Sequence, residues 1–178
     1  ETLDPRVRAA VKAGDIARVQ KAAAEGGNVN HHRSWGEEAP LVEAINAGKP
    51  DMVAALLALG AKPNLKMGYR ETTPMVTAVK KGNPDILRLL LDAGGHAEAR
   101  TETGLSLFTY AVAARNDAQA DMLLAAGAKP DAGGEGGSWT ALFYAARNND
   151  EKRVRQLLAL GARTYLNDAD GRSVLDVA

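Results

Sequence analysis

Apolar positions along the chain gather into short runs that return at a fixed interval. Met52, Val53, Leu56 and Leu57 make one helically spaced set, and Ile86, Leu89 and Leu90 make the next. Each run closes on two small residues: Gly26-Gly27, Gly60-Ala61, Gly94-Gly95, Gly127-Ala128 and Gly161-Ala162, spaced by 34, 34, 33 and 34 residues. Twelve residues before each of these lies a second punctuation position, occupied in turn by Gly14, Gly48, Gly82, Arg115 and Asn149. Nine residues earlier again stand Ala39-Pro40-Leu41, Thr73-Pro74-Met75, Ser106-Leu107-Phe108 and Thr140-Ala141-Leu142, with Ser173-Val174-Leu175 opening a further copy.

The chemistry of these landmarks predicts the elements between them. Thr73, Ser106, Thr140 and Ser173 suit a helix N-cap, and Pro40 and Pro74 suit the first helical position, where the missing N–H is not needed. A short Ala-rich helix follows and ends at the second punctuation position, where Gly accepts a left-handed conformation. Asp51 and Asp85 then open a second helix at its positive dipole end. A polar loop of roughly a dozen residues leads to the next cap. Neither helix can bury its apolar face alone, so the period predicts an all-α stack of helix–turn–helix–loop units. The expected organisation is one array: an N-terminal cap over 1–38, repeats over 39–72, 73–105, 106–139 and 140–172, and a partial unit over 173–178.

Composition narrows the partners. Charged residues make up 25% of the chain, yet 22 basic and 22 acidic residues cancel, which disfavours a nucleic acid or anionic membrane held by bulk charge. No apolar stretch approaches the length of a membrane span. Cysteine is absent, so disulfides and thiolate chemistry are excluded. The chain opens on Glu1 rather than Met. The expectation drawn from this is export to a bacterial periplasm after signal cleavage, with the cytoplasm as the alternative. A sixth unit that stops at Ala178, inside its first helix, carries the expectation that the native chain continues.

Enzyme chemistry finds little footing. His31, His32 and His96 lack the spacing that brings two ligands onto one helix face, so no metal site is expected. Gly133-Gly134-Glu135-Gly136-Gly137 is not followed by Lys-Ser/Thr and lacks a preceding strand, so it reads as a mobile loop tip rather than a phosphate cradle. No cofactor and no catalytic residue is assigned.

The period, the cap, the Ala-rich first helix and the closing Gly-Ala together resemble the ankyrin repeat, whose unit of about 33 residues starts with Thr-Pro-Leu-His. Thr73 through Gly94 is the best copy. The family's His is replaced by Val42, Val76, Thr109 and Phe143, so the hydrogen bond it makes is expected to be lost. The resemblance implies a solenoid with protruding β-hairpin-like loops that binds another protein through loop tips and the concave face of the first helices. Carried onto this chain, the loop candidates are Arg33, Trp35, Lys66, Met67, Tyr69, Arg70, Arg100, Glu102 and Trp139. The concave-face candidates are Glu43, Tyr110 and Tyr144, the two tyrosines forming an aromatic strip. Trp, Tyr and Arg are the types that most often dominate interfaces. Against this, Trp35 and Trp139 could simply pack on adjacent hairpins.

The expected function is therefore a protein-interaction module, monomeric on its own, with no enzyme activity. Its sharper form is an inhibitor or immunity protein that caps an enzyme's active site. The alternative is a structural spacer or accessory domain of a larger protein.

Overall fold

The computed structural model describes residues 5–32, 38–68, 71–132 and 139–164. Among them are ten helices in five antiparallel pairs: α1 (Pro5–Ala13) with α2 (Ile16–Ala24), α3 (Pro40–Asn46) with α4 (Pro50–Ala58), α5 (Pro74–Lys81) with α6 (Pro84–Asp92), α7 (Leu107–Ala113) with α8 (Asp117–Ala125), and α9 (Ala141–Arg147) with α10 (Glu151–Ala159). The fold is all-α. The helices fall into two compact units, Glu1–His96 and Ala97–Ala178. In the first, α1 packs on α3 and α3 on α5, while α2 packs on α4 and α4 on α6. In the second, α7 packs on α9.

Three of the caps predicted from sequence are in place, and the fourth, Ser173, lies outside the described residues. Thr73, Ser106 and Thr140 are extended and accept from the backbone N–H three residues on, Val76, Thr109 and Phe143 respectively. Asp15, Asn83, Asn116 and Asp150 do the same for second helices, so nearly every turn between paired helices carries a side-chain cap. Each turn also needs one left-handed residue, and the second punctuation position supplies it. Gly14, Gly48 and Gly82 have φ of 72°, 64° and 77°, and Arg115 and Asn149 follow at 57° and 56° without being glycine.

The core is made by the same register positions in every copy. Leu41, Met75, Phe108 and Leu142 are buried on the first helices, and Leu56, Leu90, Leu123 and Leu157 on the second. Leu90 is fully buried. The residue after each closing glycine also turns inward. At Gly95 an added Cβ would lie 2.3 Å from the Met75 sulfur, and at Gly27 it would lie 2.8 Å from Val7 Cγ2. The other copies have Ala61, Ala128 and Ala162 here, all buried, and Leu41, Phe108 and Leu142 hold the register position of Met75. A small residue at this position lets the chain pass close to the first helix in every copy.

Successive repeats are also tied through their loops. Asn30 donates from Nδ2 to the carbonyl of Gly60 (2.9 Å) and accepts from the backbone N–H of Lys62 (2.8 Å). Asn64 repeats this with Gly94 and His96, both at 2.9 Å. In the second unit the link becomes ionic: Glu98 meets Lys129, and Asp131 accepts from both the backbone and the guanidinium of Arg163. One hydrogen bond expected to be missing is present in another form. Thr109, standing where the repeat pattern has His, accepts from Ser106 Oγ and donates to the carbonyl of Ala132 at 3.0 Å. A hydroxyl on the first helix therefore still fastens the following loop.

Candidate functional site

Four of the residues assigned to partner binding, Arg33, Trp35, Tyr69 and Arg70, lie outside the described residues. Of the remaining loop candidates, Lys66, Arg100 and Glu102 are exposed. Lys66 sits 2.5 Å from Glu71 across its own turn. The Arg100 guanidinium donates to the carbonyl of Gly104 at 2.8 Å. Both loops are hairpin-like, with isolated antiparallel bridges between Met67 and Thr72 and between Arg100 and Ser106.

Met67 belongs elsewhere. It is only 9% exposed and packs on Ala39, Val42 and Leu65, so its side chain anchors the hairpin to the start of α3 rather than offering itself to a partner. Val42 holds the register position of the missing His, and an apolar residue there gives Met67 an apolar floor.

Glu43 is also engaged within the chain. Its Oε1 accepts from Arg8 Nε at 2.5 Å and lies 3.9 Å from Lys12 Nζ, and its side chain is only 12% exposed. The carboxylate clasps α1 to α3. On the same face Asn46 donates to Glu38 at 2.8 Å, and the Thr77 hydroxyl donates to the carbonyl of Thr73 at 3.2 Å. The first-helix face of this unit is polar, with Lys80 and Lys81 exposed at the end of α5.

The corresponding face of the second unit is aromatic. Trp139 precedes the Thr140 cap and folds back along α9. Its ring centroid lies 3.9 Å from that of Phe143 and 5.4 Å from that of Tyr144, at tilts of 40° and 52°. The Arg147 guanidinium carbon sits 4.9 Å from the centre of the Trp139 ring. Positions 139, 143, 144 and 147 form one helical face with the residue before the cap added to it, and this spacing is why the rings meet. Phe143 is buried; Trp139 and Tyr144 are half-buried; Arg147 is exposed. The Trp thus packs on its own following helix and still presents an edge to solvent. Tyr110 occupies the register position of Tyr144 one repeat earlier, on α7. The two rings make no direct ring contact among the described residues, because Tyr144 leans toward Trp139 and Phe143. The strip is better described as a Trp–Tyr–Arg cluster with Tyr110 beside it in the repeat order.

Sequence reasoning placed Arg115 at a helix-ending position and Arg147 near the end of a first helix, but assigned neither to binding and missed Arg153. Arg115 donates to the carbonyl of Asn148 at 2.7 Å, bridging the two left-handed turns of this unit. Asn148 in turn donates toward the carbonyls of Val112 and Ala113. Arg153 is 3% exposed, and its guanidinium donates to Asp117 and Asp121 on α8 and to Gln156, each at 2.7 Å. Burial by itself lowers its pKa, but the hydrogen bonds and charges of the two aspartates outweigh this and hold it above the ordinary arginine value. Two aspartates four apart, and an arginine 32 residues beyond the second, were the signal available in the sequence.

Among the described residues no group of three His, Asp or Glu side chains is placed to hold a metal ion. No described helix is long and apolar enough to cross a membrane.

Models of ankyrin repeats match residues 7–101 and 41–133, and a single-repeat model matches residues 138–171. The chain belongs to the ankyrin repeat family. Its structure is similar to the crystal structure of the ankyrin repeat domain of Bcl-3, described as a unique member of the IkappaB protein family. The TM-score is 0.82 and the sequences are 27% identical over 98% of this chain and 79% of that one. No curated protein matches the chain by sequence. Repeats of this family generally mediate protein–protein interaction.

Proposed function

We propose that this chain binds a folded protein partner, and that the exposed side of α7 and α9 is the centre of the contact. The observation that carries this is the Trp139–Tyr144–Arg147 cluster. Three side chains of the types that dominate interfaces are packed into a fixed arrangement, and each keeps part of its surface in solvent. Their rotamers are already held by ring stacking, so little freedom is lost when a partner docks. The first unit supports the same division of labour. Its first-helix face commits Glu43 to Arg8 and Lys12 on α1 and carries no aromatic cluster of this kind among the described residues. Inhibition of an enzyme would be one consequence of such docking, if the partner's active site lies under the cluster.

A photo-crosslinking amino acid at position 144, compared with one at exposed Ala125 on α8, tests the reading in a lysate of the native organism. A discrete adduct from position 144 and none from position 125 is the expected result. Equal labelling from both, or none from either, would sink it and leave the spacer role.

A further inference from the structure

Among the described residues of the second unit, four cations meet carboxylates, Arg100 bonds within its own loop, and three others stand apart. Lys129 meets Glu98, Arg153 meets Asp117 and Asp121, Arg155 meets Glu151, and Arg163 meets Asp131. Arg115, Arg147 and Lys152 have no carboxylate partner among the described residues, and all three are exposed. They are not scattered. Arg115 and Asn149 are the left-handed residues that turn each first helix into the second, and Arg147 and Lys152 flank the latter. Arg115 reaches across to the carbonyl of Asn148, next to Arg147 in the chain. The acidic groups at this edge are already committed. Asp117 holds Arg153, Asp150 caps α10 by accepting from the Arg153 backbone N–H, and Glu151 pairs with Arg155. The result is an edge of uncompensated positive charge that adjoins the Trp139–Tyr144 platform.

Each guanidinium is held without being neutralised. The Arg147 guanidinium carbon lies 4.9 Å from the Trp139 ring centre, a contact that carries no neutralising charge and leaves the N–H groups able to meet a carboxylate. Arg115 uses one N–H on a neutral carbonyl and keeps the others. A carboxylate arriving here would meet pre-positioned donors, the arrangement in which charge-assisted hydrogen bonds are strongest.

We infer that this edge takes an acidic segment of a partner protein, with Asp or Glu carboxylates on Arg115 and Arg147 and an adjacent apolar side chain on the Trp139–Tyr144 rings. The inference rests on the protein-binding reading above and specifies the chemistry of the partner. A folded polypeptide fits better than a nucleic acid. The three cations are confined to one short edge, the chain carries no net charge, and an aromatic surface lies beside them.

Selection of short random peptides displayed on phage against the intact chain, at low salt, tests it. The expected pool is rich in Asp and Glu next to Leu, Phe or Tyr. Its affinity should fall about tenfold or more in Arg115→Glu/Arg147→Glu, and remain within about twofold in Lys129→Glu, a charge reversal at a distant loop. Arg147→Gln, which keeps the side chain's bulk, should fall severalfold and serves if the double variant melts early. A pool without acidic excess, a pool whose binding survives both arginine variants, or no binders at all would overturn the inference. So would equal binding of a single-stranded DNA oligonucleotide of the same charge, since that would make the edge a general polyanion site. If crosslinking from position 144 persists while the peptide pool lacks acids, protein binding stands and only the acidic-segment inference falls.

Discussion

Arg153 Nη2 lies 2.7 Å from Asp117 Oδ1, joining a buried guanidinium on α10 to an exposed carboxylate on α8 one repeat earlier. Asp121 completes the clasp at the same distance from Nη1. The charge is buried on one side of the bond only, and this makes the contributions of the partners unequal.

Removing the aspartates should therefore cost more than removing the arginine. Asp117→Ala/Asp121→Ala leaves a buried cation without its counter-charges and should destabilise the chain by about 3 kcal/mol. Arg153→Met fills the space with an apolar chain, leaves the aspartates in water, and should cost about 1 kcal/mol or less. Urea unfolding of the variants measures both, and the reverse order would refute the account. The raised pKa sets the pH dependence. A folded value above the unfolded one gives stability that is full below ordinary arginine ionisation and lost only as pH rises through the folded value. This group therefore adds no slope to stability near neutral pH.

Left-handed turns offer a test of backbone strain. Arg115 holds a φ of 57° where three other repeats use glycine. Comparing Arg115→Gly with Arg115→Ala removes the same side-chain hydrogen bond in both. The glycine variant should be the more stable by about 1 kcal/mol. Gly48→Ala should cost a similar amount, although the added Cβ would meet nothing within 4 Å. Thermal melts that rank Arg115→Ala equal to Arg115→Gly would show that the turn is not strained.

Gly95 and Met75 form a matched set. Gly95→Ala alone should destabilise by about 1–3 kcal/mol, since its Cβ would lie 2.3 Å from the Met75 sulfur and 2.7 Å from the Leu90 carbonyl oxygen. Adding Met75→Leu recreates the Leu41–Ala61 combination of the preceding repeat, relieves the sulfur contact but not the carbonyl one, and should recover part of that loss. Simple additivity in a double-mutant cycle would argue against the pairing.

Leu90 is fully buried, and its truncation in Leu90→Ala should cost about 2–5 kcal/mol. A near-zero change in the denaturation midpoint would place the second-helix register wrongly.

Local chemistry alone determined the repeat, the ends of the helices and the left-handed turns. Thr73 caps α5 and Gly82 ends it because a hydroxyl, a proline and a glycine act within a few residues of themselves, and a period of such signals survives whatever they pack against. Which side chains face a partner was decided only by tertiary packing. Met67 and Glu43 have the composition of contact residues, but an apolar floor at Val42 draws in the first and two cations on α1 capture the second. Trp139 reads as a loop residue until α9 folds beneath it. The Arg153 clasp spans 36 residues to Asp117. Contacts between repeats depend on which of several charges meets which, and sequence spacing fixes only that they share a register.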